Sequence, residues 1–195
     1  GDAAPQARLP KEGRALGRES LDLLLRDAAV AAGARLFQPA QAVTCVPAGE
    51  GSACRIRQGD GETELRARII VAAAGSWTPK GAFALDAPAP APSDLLAFKA
   101  HLRGGHLPQG VMPLLAFPGG YGGMVHTDDG RLSLSCCIRR DAVAAARAAH
   151  EGRAGEAVLA HIAATTQGAA QALEGARPDG AILSAGPIRP GIRTR

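Results

Sequence analysis

Residues 69–75, Ile69-Ile70-Val71-Ala72-Ala73-Ala74-Gly75, form an unbroken apolar run closed by glycine. A run of this length with such a stop predicts a strand buried on both faces, the pattern of a parallel sheet. It continues directly from Thr63 to Arg68, where apolar and polar residues alternate, so the chain is expected to pass there from a solvated strand into a core. Upstream, Val43 to Val46 and Ala53 to Gln58 read as strands, and Gly59-Asp60-Gly61 reads as the turn of a hairpin. Further upstream, Leu21, Leu24, Leu25, Ala28 and Ala32 recur at helical spacing between Arg18 and Ala32. This stripe predicts a helix packed on a sheet. Gly17 or Ser20 can cap its start, Glu19 and Asp22 suit its positive end, and Gly33 supplies the left-handed stop.

Downstream, Pro88-Ala89-Pro90-Ala91-Pro92 favours extended polyproline geometry and predicts a crossing between two domains. Leu95 to Leu102 and Val111 to Phe117 then read as strands. Tyr121 to His126, the turn Thr127-Asp128-Asp129-Gly130 and Arg131 to Ile138 predict a hairpin. In its second arm Leu132, Leu134, Cys136 and Ile138 alternate with Ser133, Ser135 and Cys137, so one face is expected to be buried and the other semi-polar. An alanine-rich helical stretch follows from Asp141 to about Ala176, with breaks predicted near Gly152 to Gly155 and near Gly168. Ala181 to Ala185 reads as a last short strand.

Composition narrows the function. Hydrophobic residues make up 46% of the 195 and charged residues 21%, the balance of a globular chain. The net charge of +4 comes from dispersed arginines, and 3% aromatic residues leave little for bases to stack on, which argues against a nucleic-acid partner. No apolar run approaches the roughly 20 residues that span a bilayer, and the N-terminus is polar, so no membrane insertion and a cytoplasmic location are expected. Cys45, Cys54, Cys136 and Cys137 show no CxxC spacing, and the five histidines lack ligand spacing, so no metal site is expected. Ser76 follows Gly75 outside a Gly-x-Ser-x-Gly frame, which gives a hydrolase little support.

Three segments carry a family resemblance. They are Gly17-Arg18-Glu19-Ser20-Leu21-Asp22-Leu23-Leu24-Leu25 with Gly33-Ala34, then Ala67-Arg68 through Gly75-Ser76-Trp77, then Phe117-Pro118-Gly119-Gly120-Tyr121-Gly122. Their order resembles that of FAD-dependent oxidoreductases of the flavoprotein monooxygenase and geranylgeranyl reductase type. The resemblance implies an α/β and α+β chain: an incomplete Rossmann-like FAD domain over 1–80, with a parallel sheet and helix, an antiparallel-sheet substrate domain with helices over 81–180, and a return strand over 181–195. It covers the middle portion of such a protein, without the GxGxxG turn that binds the pyrophosphate or the Gly-Asp segment near the ribityl chain.

Site roles follow from the same resemblance. Arg18, Val43 and Gly75 would contact FAD, and Phe117, Pro118, Gly120 and Tyr121 would bind a small apolar or aromatic substrate. No catalytic residue is assigned. NAD(P)H is among the electron donors the resemblance allows, and unpaired strand edges invite a homodimer. Gly123 stands where many reductase relatives carry tryptophan after Gly-Tyr-Gly, so an isoprenoid substrate is not implied. The competing readings are a non-catalytic α+β module that binds a ligand or protein, and an inactive truncated flavoprotein.

Overall fold

Residues 5–73 and 89–189 are described by a computed structural model, and within them the chain is α+β. Helix α1 (Arg18–Ala31) precedes β1 (Gln41–Ala48), β2 (Gly51–Gln58) and β3 (Gly61–Ala67), which form a sheet in that order. After residue 88 come β4 (Leu95–Arg103), β5 (Leu114–Phe117), β6 (Gly120–His126) and β7 (Leu132–Arg139). Three helices follow, α2 (Arg140–Ala149), α3 (Ala154–Thr165) and α4 (Gln167–Leu173), and then β8 (Arg177–Pro178) and β9 (Leu183–Ile188). The second sheet has the order β5-β6-β7-β4-β8, with β9 also paired to β4.

Every strand pairing among the described residues is antiparallel, which overturns the expected Rossmann-like parallel sheet. Residues 69–73 form no strand, and Ile69 and Val71 are 79% and 80% exposed. A parallel strand needs a neighbour brought alongside by a crossover connection. The described residues supply none, so apolar character alone does not bury this run. Gly75, and Pro88 of the expected domain crossing, lie outside the described residues. The prediction that α1 packs on a sheet is corrected in the same way: none of its residues is buried, and Leu24 and Leu25 are 62% and 60% exposed. Its C-terminal stop stands as expected, with Gly33 at φ 98°, a conformation a side chain would strain.

The core lies between the six-stranded sheet and α2 to α4. Leu132, Leu134, Cys136 and Ile138 of β7 are buried there with Phe98, Ala100 and Leu102 of β4 and Met124 of β6. Val143, Val158, Ile162, Ala169 and Ala172 cover them from the helices. The alanine-rich stretch breaks near Gly152, at φ 130°, and again at Thr166, just ahead of Gly168. Small residues on α4 bring that helix close enough for the Ala172 carbonyl to accept from the His106 amide at 2.9 Å.

The Phe117–Gly122 segment is packed, not slack. A Cβ on Gly120 would lie 2.5 Å from both the Cys137 carbonyl oxygen and the Phe117 ring, and one on Gly122 would lie 2.5 Å from the Ser135 carbonyl oxygen. Phe117 is buried and meets the His161 ring edge-on, with centroids 6.0 Å apart. His161 also donates through Nε2 to the Pro118 carbonyl at 3.0 Å, which clamps the β5–β6 turn to α3.

Two carboxylates tie distant segments together. Asp128, in the β6–β7 turn, accepts from the Gly17 amide at 2.5 Å and from the Ser20 hydroxyl at 2.6 Å, which fixes the start of α1. Those bonds, Ser20 first, hold its carboxyl below the ordinary range. Asp94, buried before β4, accepts from Arg189 at 2.6 and 2.7 Å and from the Ala91 amide at 2.8 Å. The residue following β9 is thereby locked to the entry of β4.

Two outcomes follow from this packing. The Arg189 hydrogen bonds, then the Ala91 amide, lower the Asp94 carboxyl from 3.8 to about 2. A carboxylate lowered on folding contributes stability that is complete above its ordinary pKa and is lost as pH falls through the folded value. Urea midpoints measured between about pH 5 and 2 should therefore fall more steeply in the native chain than in Asp94→Asn, and parallel curves would remove this pair from the acid response. Separately, Gly120→Ala forces the Phe117 ring or the β7 backbone to move and should destabilise by about 1–3 kcal/mol. Gly168→Ala, which meets nothing within 4 Å, should lower the thermal midpoint far less.

Candidate functional site

One face of the six-stranded sheet carries α2 to α4, and the other carries none of these helices. Residues directly opposite each other on paired strands share a face, so the register defines the second face row by row. The first row is Ala116, Tyr121, Cys137, Ala97 and Ala185. Beside it run Leu114, Gly123, Ser135, Lys99 and Leu183. Val125, Ser133 and His101 form a third row.

This surface is open at the Tyr121 end and covered at the His101 end. Tyr121 is 57% exposed and Leu114 and Leu183 are exposed, whereas Ser133 is buried. Burial is the main cause that pushes the His101 ring below its ordinary pKa, helped by Lys99 and Arg131 and opposed by Glu19 and Asp128. The first turn of α1 therefore lies within electrostatic reach of that end. Buried His101 Nδ1 has no hydrogen-bond partner among the described residues.

The centre of the open face is chemically mixed. Tyr121 stands opposite Cys137, and the electrostatic influence of that neighbouring side chain raises the Tyr121 pKa above its ordinary value. The phenol thus stays protonated and able to donate over a wider pH range. Lys99, one row away, forms no ion pair with a described carboxylate, and Ser135 stands opposite it. Cys136 faces the core instead, where burial pushes its thiol up to about 11, so it is a small apolar packing group and not a nucleophile.

The residues expected at a site are divided by this geometry. Tyr121 lies on the open face. Phe117 lies in the helix-side core, the Pro118 carbonyl is held by His161, and Gly120 makes room for the Phe117 ring. Arg18 is exposed at the first position of α1 and donates to both oxygens of Asp22 at 3.0 and 3.1 Å. Val43 sits at the irregularity of β1, where the register to β2 shifts between Ala42 and Thr44, a local bulge that re-aims side chains.

Of the positions assigned to flavin, Gly75 lies outside the described residues, and Arg18 and Val43 stand on separate elements. The Arg18 guanidinium is engaged by its own helix, and a cleft of about 440 Å³ elsewhere in the fold is lined by neither Arg18 nor Val43. Among the described residues, no group of three or more His, Cys, Asp or Glu side chains is placed to hold a metal, and no helix is long and apolar enough to cross a membrane. Lys99, Ser135 and Cys137 were missed as site residues, although the alternation of β7 already assigns Ser135 and Cys137 to its polar side. The place of Lys99 opposite Ser135 depends on a pairing between strands far apart in sequence.

Comparison with known proteins places the fold. No protein-family model and no curated protein matches the chain. Among solved structures, the myxobacterial chondrochloren halogenase CndH, described as a variant of FAD-dependent halogenases, aligns with a TM-score of 0.70 at 21% identity. That alignment covers 88% of this chain and 41% of the halogenase. A flavoprotein/dehydrogenase from Cytophaga hutchinsonii aligns with a TM-score of 0.69 at 18% identity, over 87% of this chain and 42% of that one. A geranylgeranyl bacteriochlorophyll reductase-like protein from Thermoplasma acidophilum aligns with a TM-score of 0.64 at 15% identity, over 86% and 41%. The chain spans about two fifths of the length of these proteins, and at such identities the likeness is one of fold. It has the fold of the corresponding portion of FAD-dependent halogenases, geranylgeranyl reductase-like proteins and related flavoproteins, in agreement with the resemblance read from its three sequence segments.

Proposed function

We propose that the open face of the six-stranded sheet is the substrate-facing wall of an FAD-dependent oxidoreductase, a monooxygenase or a dehydrogenase, that acts on a small apolar or aromatic molecule. The observation that carries this reading is the two-sided sheet, with a closed helical core on one face and Tyr121, Cys137, Ser135 and Lys99 set among small residues on the other. Ala97, Ala116 and Gly123 leave room for a flat molecule against the strands, and Tyr121 supplies a ring edge and a hydrogen-bond donor. Lys99 offers a cation for an acidic group on the bound molecule. FAD, with NAD(P)H as electron donor, belongs in this reading to the whole protein.

The competing reading is a binding module without catalysis. Binding of FAD separates the two. If the whole protein is flavin-dependent, a longer form of it should quench FAD fluorescence in a saturable titration, whereas a binding module leaves FAD fluorescence unchanged.

The substrate wall itself is tested on this chain with 2-naphthol, an apolar phenol with its own fluorescence. Binding should saturate and weaken about two- to tenfold in Tyr121→Ala, the range expected when one aromatic contact is lost. Leu24→Ser on α1 should leave it unchanged. Equal affinity of the native chain and Tyr121→Ala would exclude this face from ligand binding.

A further inference from the structure

The 440 Å³ cleft lies on the helical side of the sheet, away from the open face. Its floor is Leu96 and Phe98 of β4, its helical wall is Val143 and Ala144 of α2, and Ser184 of β9 borders it. The pairing confirms the side: Leu96 stands opposite Ile138 and Phe98 opposite Cys136 and Ser184, all on the core face. Pockets that hold small organic ligands run from about 300 to 1,000 Å³, so this volume suits a molecule larger than an inorganic ion.

Two arginines line the same cleft, Arg140 and Arg147. They stand seven residues apart on α2, two helical turns, and so share a face with Val143 and Ala144. Arg147 has no carboxylate within salt-bridge distance among the described residues. Arg140 has a buried Nε without an acceptor, and its nearest carboxylate oxygen, on Asp94, is 4.0 Å from Nη2. That carboxylate is already bound at short range by Arg189. With Asp94 and Arg189 cancelling, the two arginines leave two positive charges beside an apolar floor.

We propose that this cleft binds a carboxylate carried on a short hydrocarbon chain. The chain lies on Leu96, Phe98 and Val143, where it displaces water from apolar surface. The carboxylate sits between Arg140 and Arg147 and accepts from guanidinium donors, whose planar forks match its geometry. Neither half of the ligand suffices: an inorganic anion leaves the floor wet, and an uncharged alcohol leaves the cations unmatched. The site is separate from the substrate wall and does not depend on it.

Octanoate tests the proposal, with octanol and inorganic phosphate as comparators that each lack one half of the chemistry. In ¹H–¹⁵N spectra of the full chain, millimolar octanoate should shift the amides of Leu96, Val143, Ala144 and Ser184. Arg147→Gln and Arg140→Gln should each weaken binding by about fivefold or more, the loss expected for a charge-assisted hydrogen bond. Leu24→Ser, on the exposed stripe of α1, should not change it. Octanol or phosphate binding as well as octanoate would overturn the proposal. So would unchanged affinity in both arginine variants, shifts confined to α1 or to the Tyr121 face, or no shifts at all.

Discussion

The structure depends on the side-chain period of one strand. β7 pairs with β6 on one edge and with β4 on the other, so its alternation sets the facing of the whole larger sheet. Leu132, Leu134, Cys136 and Ile138 go to the helices, and Ser133, Ser135 and Cys137 go to the other side. A slip of one residue would exchange the two sets and put serines against Val158 and Ile162, a loss that no local rearrangement could offset. The two glycines of β6 tighten the constraint. Gly120 and Gly122 oppose Ile138 and Cys136, where a Cβ would strike the neighbouring backbone, so β6 can approach β7 and admit the Phe117 ring only at these positions.

The same period explains what could be read from the sequence. The β6–β7 hairpin, the two helix breaks and the glycine stop of α1 are local features, and turn chemistry or periodicity within a dozen residues specifies them. The readings that failed concerned partners. Ile69 to Val71 has the composition of a buried parallel strand, but burial requires a neighbour, and composition does not provide one. The leucine stripe of α1 announces a face to be covered without saying what covers it. Conversely, the pairs that organise the fold were invisible because they join segments about a hundred residues apart: Asp94 with Arg189, and Asp128 with Gly17 and Ser20. At the candidate site, Tyr121 was singled out through the family resemblance of its glycine-rich segment. Lys99 was not, because it reaches that face only through the β4–β7 register.

The sheet thus presents different chemistry on its two sides. On the helical side a cleft is edged by arginines over apolar side chains. On the open side a tyrosine and a half-buried thiol face each other, with a lysine one row away. Both surfaces hang on β4, whose residues Leu96 and Phe98 floor the cleft while Ala97 and Lys99 face the opposite way. A ligand in the cleft and a ligand on the wall would therefore touch the same strand from its two sides. Movement of β4 is the shortest physical route by which either could be felt by the other.

Burial is unevenly divided along the chain, and this bears on how such a piece of a flavoprotein fold can be stable. Nearly every buried residue belongs to the six-stranded sheet and its helices. Among the described residues, the region before residue 74 contributes only Gly17, Ala53 and Ile56. The six-stranded sheet and its helices close their own core, and their outermost connection is secured by the Asp94–Arg189 pair. The α1 and β1–β3 region instead holds through backbone ladders and the Asp128 contacts, with little apolar area removed from water. Segments of that kind open at lower free energy than the core they attach to. The residues assigned to flavin by resemblance, Arg18 and Val43, lie in this weakly held region. Their placement against a cofactor would therefore be set by what packs on α1 and β1, whereas the wall bearing Tyr121 and Lys99 is already fixed by the core behind it.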